Sequence, residues 1–272
     1  MTGAAEPGYR TITASLVEDG SVLSLVLNQP KANVLSIAMM AELRAALAAH
    51  RAHRKLRLVI VRGAGKHFSF GASVPEHRRD SAEAMLAAFH TLVRDIASYP
   101  VPVAALVLGQ CLGGAFELVL TCHFVFAAPS AVFACPEIKL GVVPPVLAVL
   151  GHHRLGGPLA ERMVMTGAEL TAHQAHDRGL LAALLPESFD GVDTAALPFV
   201  LDWYRATLAP LSAFSLREAT HAARTGSGLL ASLGAPLDAA ERRYIELLLP
   251  SRDGNEGIEA FLARRAPAWV DA

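Results

Sequence analysis

The chain has 272 residues, of which 53% are hydrophobic, and this is enough for one large domain with a substantial interior. Global disorder is therefore excluded. With 24 basic and 25 acidic residues the net charge is −1, so the chain lacks the general positive field that attracts nucleic acids or anionic membranes. Any anionic ligand must be bound by local groups.

The first part of the sequence predicts a hairpin, a helix and a buried strand. Residues 11–16 alternate between polar and apolar, residues 21–27 form a second apolar run, and the Asp19-Gly20 step between them is a strong turn signal. Apolar residues then recur at helical spacing over residues 36–52, with Ser36 as the predicted N-cap. A short buried strand is predicted at residues 58–62.

The same order of elements recurs further along the chain, and it predicts an α/β fold with parallel strand pairing. The predicted elements are a loop at 63–73, a helix at 82–98, a strand at 103–108, a helix opening at Gly113, and strands at 123–127 and 131–133. From about residue 197 the sequence shows amphipathic stretches at 199–207, 237–248 and 257–265, with no convincing strand. We therefore predict a core over residues 1–196 and a helical C-terminal region over residues 197–272.

Cysteine usage and hydropathy predict a cytoplasmic protein. Cys111, Cys122 and Cys135 lie in one apolar stretch, and an odd number so placed indicates reduced core thiols rather than a disulfide framework. The N-terminal residues lack the basic and apolar segments of a secretory signal. Residues 101–151 are very apolar, but proline, glycine and polar residues interrupt them before the ~20 residues that a membrane-spanning helix needs. This stretch predicts a buried core and no membrane contact.

Two glutamates are the first candidates for chemistry. Glu117 and Glu137 are the only acidic residues between positions 101 and 150, where an unpaired ionised group is costly. Each carboxylate alone could equally cap a helix or pair with Lys139 or Arg154. Together, in one apolar region, they favour acid–base catalysis.

Two glycine-containing segments can present backbone amides to a ligand. Gly113-Gly114 follows a predicted strand and opens a helix, so its amides point outward at the positive end of the helix with no side chain in the way. Residues 68–73, FSFGAS, combine Gly71 with the small residues Ala72 and Ser73. Both segments suit a developing oxyanion, although either one alone could be an ordinary tight turn.

Other chemistries find little support in the sequence. The eleven histidines show no metal-binding spacing, since His152 and His153 are adjacent and cannot converge on one ion. Gly63-Ala64-Gly65 lacks the third glycine of a dinucleotide-binding fingerprint. Ser69 or Ser73, with His67 or His77 nearby, has no nucleophile elbow around it.

These motifs together resemble the enoyl-CoA hydratase (crotonase) family. Residues 107–118, VLGQCLGGAFEL, resemble its first signature, and residues 133–141, FACPEIKLG, resemble its second. Further similar segments cover nearly the whole chain: residues 29–33 (QPKAN), 68–73, 155–179 and 256–265.

The resemblance implies a crotonase-like spiral of ββα units whose helical C-terminal region forms a homotrimer, commonly paired into a hexamer. By position, Ala72 and Gly114 correspond to the oxyanion donors, and Glu117 and Glu137 to the acid–base pair of the hydratases. Coenzyme A enters as part of an acyl-CoA substrate, with no prosthetic group. The residues that correspond to its binding are Lys31, Ala32, Phe70, Phe261 and Arg264, the last two reaching a neighbouring subunit's coenzyme.

Two departures from the family pattern bear on the acyl group. Ala115 replaces a third glycine, and residues 142–149, VVPPVLAV, replace a glycine-rich segment, so we expect a bulkier or reshaped pocket floor. Residues 31–35 and 68–77 are similar to the cyclohexa-1,5-diene-1-carbonyl-CoA hydratases of aromatic degradation, which add water to a conjugated ring thioester. The alternatives are a general 2-enoyl-CoA hydratase or isomerase of the fatty-acid type, a thioester hydrolase, and a binding protein without turnover.

Overall fold

The computed structural model describes residues 8–29, 31–186 and 193–272; Pro30, part of the N-terminal QPKAN motif, lies outside the described residues. The predicted hairpin is confirmed, because β1 (Ile12–Val17) pairs antiparallel with β2 (Val22–Leu27) across a 3-10 turn at Glu18–Gly20. Helix α1 (Ile37–His50) follows, and the Ser36 side chain caps it by accepting the Met39 amide.

The middle of the chain follows the predicted order, with one strand that the sequence analysis missed. Its elements are β3 (Leu58–Gly63), α2 (Ala82–Ala97), β4 (Val103–Val107), β5 (Gln110–Leu112), α3 (Gly114–Thr121), β6 (Phe124–Ala127) and β7 (Val132–Ala134). The missed strand is β5, which has only three residues and lies between a glycine and the Gly-Gly step. Such a short segment carries no periodic pattern.

The rest of the chain is largely helical. Its elements are α4 (Pro145–Leu155), α5 (Gly157–Thr166), β8 (Leu170–Thr171), α6 (Ala172–Asp177), β9 (Ala183–Leu184), α7 (Asp193–Thr207), α8 (Ala213–Gly226), α9 (Leu229–Ser232), α10 (Ala235–Arg243), a π-helical turn (Tyr244–Leu248) and α11 (Arg252–Leu262). The predicted boundary between residues 196 and 197 falls inside α7, and the division into two domains stays a prediction.

The strands of the described residues form a six-stranded sheet of order β1-β2-β3-β4-β6-β9 and a three-stranded sheet of order β5-β7-β8. From β2 onward the neighbours in the larger sheet are parallel, as predicted. Each turn of the chain adds a strand to the larger sheet, a short strand or bridge beside it, and then a helix. The expected spiral of ββα units is confirmed.

Both faces of the larger sheet are covered, which explains why its strands are almost continuously apolar. On one face, residues such as Val59 and Val61 pack in the core that includes helices α1 to α4. On the other face, Leu58 and Ile60 pack against α7 through Val200 and neighbouring side chains. The C-terminal region therefore packs on the chain's own core.

No helix in the described part of the chain is both long enough and apolar enough to cross a bilayer. The three cysteines are buried and free, as predicted.

Candidate active site

One cavity of about 620 Å³ contains all four residues predicted to be catalytic. Ala72, Gly114, Glu117 and Glu137 line it together with mainly apolar side chains from α2, α4 and the C-terminal region. Its volume is typical of a site for a small organic ligand.

The Ala72 amide faces away from Leu35 because of how the neighbours of Ala72 are bonded. Leu35 donates its amide to the Gly71 carbonyl at 2.9 Å and accepts the Ser73 amide at 3.3 Å, which forms a parallel bridge centred on Ala72. In such a bridge the flanking residues make the hydrogen bonds, so the amide of the central residue faces the other way. Gly71 has φ +92° and lies so close to Leu112 that a Cβ atom would be 2.6 Å from the Leu112 carbonyl oxygen.

The second donor segment depends on two glycines for different reasons. Gly113, the N-cap of α3, has φ 54° and ψ −132°, and a Cβ atom on it would lie 2.7 Å from Oε1 of Glu137. Gly114 is helical, and a Cβ atom there would make ordinary contact with Ala72 at 3.5 Å and Phe89 at 3.4 Å. The fold therefore requires glycine at position 113, whereas a methyl group at position 114 would fit the fold and fill space beside Ala72.

A second parallel bridge sets the relative position of the two donor segments. Ser69 donates its amide to the Gln110 carbonyl at 3.2 Å, and Leu112 donates its amide to the Ser69 carbonyl at 3.0 Å. Ala72 lies three residues beyond Ser69, and Gly114 lies two residues beyond Leu112. This register places Ala72 and Gly114 side by side, and both line the cavity.

The side chains of Asn33 and Ser69 stabilise this arrangement, a role that was predicted for neither of them. The Asn33 side-chain amide donates to the carbonyls of Ala64, His67 and Phe68 at 3.0 to 3.2 Å. Ser69 Oγ donates to the Asn33 carbonyl at 2.7 Å and accepts the Gly71 amide at 3.1 Å. Both side chains are buried.

Glu117 is 3% exposed and both lines the cavity and caps a helix. Its Oε1 accepts the amides of Val146 at 2.7 Å and Leu147 at 2.9 Å, in the first turn of α4. Burial raises its pKa from the ordinary 4.5 to about 7, although the two amide hydrogen bonds act in the opposite direction. Glu117 therefore caps a helix, which was one of the alternatives to catalysis. The cap uses only Oε1, so the other carboxylate oxygen is left for chemistry.

Glu137 lies in the 3-10 turn Pro136–Leu140 after β7 and is held differently. Its Oε2 is buried and has no hydrogen-bond partner in the described structure. Burial and then the charge of Glu117 raise its pKa well above the usual range. Glu137 therefore keeps its proton to higher pH than Glu117, whose ionised form is stabilised by two amides.

The residues expected to bind coenzyme A are divided between two places. Phe70 and Phe261 line the cavity, whereas Lys31 lines a separate groove with Lys66 and His67. Ala32 follows Lys31 of the groove in sequence and contacts Phe70 of the cavity, because its carbonyl accepts the Phe70 amide at 2.9 Å.

At the C-terminal side of the cavity, Arg265 is a lining residue and Arg264 is not. A bidentate ion pair joins Arg265 to Glu256 at 2.5 and 2.8 Å. Arg264 is exposed and follows the end of α11 with φ 54°. The adjacent arginine thus occupies the cavity within this chain.

The segment that replaces the family's glycine-rich run contributes bulk to the cavity. Val143 and Pro145 line it, and Pro145 begins α4 beside the two amides that Glu117 accepts. Among the described residues, no group of three or more His, Cys, Asp or Glu side chains is placed to hold a metal ion.

Known proteins are similar to this chain in sequence and in fold. A cyclohexa-1,5-dienecarbonyl-CoA hydratase from Thauera aromatica is 41% identical, with 93% of this chain and 95% of that protein covered. A 2,3-dehydroadipyl-CoA hydratase from Escherichia coli K12 is 32% identical, over 90% and 94%. The crystal structure of an enoyl-CoA hydratase from Mycobacterium avium subsp. paratuberculosis K-10 superposes with a TM-score of 0.81 at 27% identity, covering 96% of this chain and 99% of that one.

The two curated relatives are hydratases, and this chain is a hydro-lyase enzyme. A family model described as enoyl-CoA hydratase/isomerase matches residues 18–272. The chain belongs to the enoyl-CoA hydratase/isomerase family, also called the crotonase family.

Proposed function

We propose that this enzyme adds water to a conjugated enoyl or cyclic dienoyl-CoA thioester, with cyclohexa-1,5-diene-1-carbonyl-CoA as the first candidate substrate. The observation that carries the proposal is the placement of Glu117 and Glu137 in the cavity that Ala72 and Gly114 line. A pair of amides and a pair of carboxyl groups are the groups that hydration of a conjugated thioester needs.

The amides of Ala72 and Gly114 would receive the thioester carbonyl oxygen. Negative charge reaches that oxygen through the conjugated system when water attacks, and each well-placed donor is worth about 3 kcal/mol of transition-state stabilisation. The same argument covers a straight enoyl chain and a ring diene, because in both cases the charge ends on the carbonyl oxygen.

The proton transfers follow from the different surroundings of the two glutamates. Glu117, whose charged form is stabilised by two amides, takes a proton from water as the water oxygen bonds to the acyl carbon. Glu137, whose pKa is raised well above the usual range by burial and by Glu117, gives its proton to a carbon of the enolate. The substrate gains one water molecule, and the proton gained by Glu117 balances the one lost by Glu137.

Two observations favour a ring substrate. The relative that is 41% identical is named for a cyclic diene thioester. The acyl part of the cavity is apolar, with Met85, Leu86 and Phe89 on α2 and with Val143 and Pro145 in place of a glycine-rich run. A flat apolar ring is complementary to such walls.

We also propose that the enzyme assembles as a homotrimer or hexamer. Large apolar side chains are exposed at Leu211 (46%) and Phe214 (74%), beside the C-terminal helices. Exposed apolar surface of this kind marks interaction surfaces in soluble proteins. Light scattering of the purified chain tests the assembly, and a monomer at micromolar concentration would contradict it.

The test is to follow the ultraviolet absorbance of cyclohexa-1,5-diene-1-carbonyl-CoA and of crotonyl-CoA with the wild type and with Glu117→Gln and Glu137→Gln. Glu42→Gln is the matched control, because Glu42 accepts backbone amides on the surface, away from the cavity. Turnover of the diene that is lost in both cavity variants and kept in the control supports the proposal. Turnover of crotonyl-CoA alone would move the assignment to a general enoyl-CoA hydratase, and turnover of neither would refute hydration.

A further inference from the structure

Tyr244 has an unusual environment for a buried tyrosine. Its side chain is 1% exposed and lines the cavity, yet its hydroxyl oxygen is buried and has no hydrogen-bond partner in the described structure. Two other tyrosines, equally buried, donate to protein oxygens: Tyr99 to the Leu47 carbonyl at 2.9 Å and Tyr204 to Ser21 Oγ at 2.6 Å. Buried tyrosine hydroxyls normally have such a partner, so Tyr244 is built to receive one from outside the chain.

The second unpartnered polar atom of the cavity belongs to Glu137. Its Oε2 is also buried and has no hydrogen-bond partner in the described structure. Tyr244 lines the same cavity as both glutamates, and burial followed by the carboxyl groups of Glu137 and Glu117 raises the pKa of Tyr244 and keeps its phenol neutral. Tyr244 is therefore a hydrogen-bond donor in the cavity of the acid–base pair.

The position of Tyr244 is fixed by the elements that carry it. The residue begins the π-helical turn Tyr244–Leu248, in which the Leu249 amide bonds the Tyr244 carbonyl at 2.9 Å. Such turns are rare and frequently occur at functional sites. The preceding helix α10 is tied to α2 by His90, which is 0% exposed and contacts Glu241 at 2.5 Å, next to the cavity residue Phe89.

We infer that the Tyr244 hydroxyl binds the oxygen atom that the reaction adds to the acyl group. As a donor to the lone pair of the attacking water, Tyr244 leaves both protons of that water free, one of them for Glu117. After addition, the same hydrogen bond holds the new hydroxyl of the product. This role rests on the proposed hydration, and it makes Tyr244 a third polar side chain in contact with the reacting atoms.

The test compares Tyr244→Phe with the matched control Tyr204→Phe, which removes a hydroxyl of equal burial outside the cavity. We expect Tyr244→Phe to lower kcat/KM for hydration by roughly tenfold, the scale of one lost hydrogen bond. Because the Tyr244 hydroxyl has no protein partner, the Tm of Tyr244→Phe should equal or exceed that of the wild type. Tyr204→Phe should lower the Tm and leave turnover unchanged.

A binding measurement separates contact with the added oxygen from a general effect on the cavity. In the inactive Glu117→Gln background, calorimetry compares the hydrated product of cyclohexa-1,5-diene-1-carbonyl-CoA with benzoyl-CoA, a ring thioester without that hydroxyl. If crotonyl-CoA is the better substrate, 3-hydroxybutyryl-CoA and butyryl-CoA replace them. Adding Tyr244→Phe should weaken binding of the hydroxylated thioester by roughly tenfold and leave the affinity for the thioester without the hydroxyl unchanged.

Equal weakening of both thioesters, or unchanged binding of both with wild-type turnover, would overturn the role of Tyr244 while leaving the proposed hydratase intact. A wild-type protein that hydrates neither thioester would instead refute the proposed function, and the inference with it.

Discussion

Replacing Glu117 with glutamine is expected to stabilise the protein at alkaline pH while it abolishes turnover. The glutamine oxygen can still accept the amides of Val146 and Leu147, so the cap on α4 is kept. What is lost is a buried group that must give up its proton in an apolar cavity. The change therefore isolates the cost of ionisation from the cost of losing hydrogen bonds.

The size of the effect follows from the pKa of Glu117, which is raised from 4.5 to about 7 in the folded protein. A raised carboxyl pKa favours the folded state while the group is protonated. Its contribution is complete below about pH 4.5 and is lost as the pH rises through about 7. At 1.36 kcal/mol for each pKa unit, the wild type loses about 3 kcal/mol of unfolding free energy over this range, and Glu117→Gln does not.

Urea unfolding at fixed protein concentration, at several pH values from about 5 to 8, measures the difference between the two proteins. Glu42→Gln is the control. Burial acts to raise the Glu42 pKa, but hydrogen bonds from Thr11 and neighbouring amides lower it overall, so its contribution is lost only below about pH 4.5, and the difference between Glu42→Gln and the wild type should stay constant over this range. A stability difference between wild type and Glu117→Gln that stays constant with pH would refute the reasoning.

Three further outcomes are expected. Gly113→Ala should destabilise the fold by about 1–3 kcal/mol, because it puts a side chain on a residue of positive φ and against Glu137. Gly114→Ala, in the first turn of α3, should instead keep the Tm and lose activity, and equal Tm losses in the two variants would contradict this. Asn33→Ala should lower the unfolding free energy by about 2–3 kcal/mol, since it removes three hydrogen bonds, one of them to the buried Phe68 carbonyl, and an unchanged urea midpoint would count against that role. The hydration rate should rise as the pH passes through about 7, where Glu117 loses its proton, and a flat rate profile would show that Glu117 is not the base.

Much of the fold could be predicted because it depends on local patterns. The alternation in β1, the Asp19-Gly20 turn and the Ser36 cap each act over a few residues, and the structure confirms all three. Strand β5 was missed because three residues show no period. Helix α8 lies inside the predicted helical region of residues 197–272, but it was not predicted as a separate element, and the predicted amphipathic stretches lie on either side of it.

The site was predicted less completely than the fold. The residue types of Glu117, Glu137 and the two glycine segments pointed to acid–base and oxyanion chemistry before any geometry was known. Their placement in one cavity depends on the bridges at Leu35 and Ser69, which pair residues more than thirty positions apart. No local signal predicts such pairing.

The sequence by itself determined the chemical inventory: two acidic groups in an apolar region and glycines where amides must be exposed. Only the tertiary structure decided what each group does. Folding gave Glu117 two amides of α4 and left Oε2 of Glu137 and the Tyr244 hydroxyl without a hydrogen-bond partner in the described structure, because the start of α4 and the π-helical turn approach the cavity from distant parts of the chain. The pKa of a carboxyl group is set by its surroundings in space, and so the division of acid and base between identical side chains is a property of the fold.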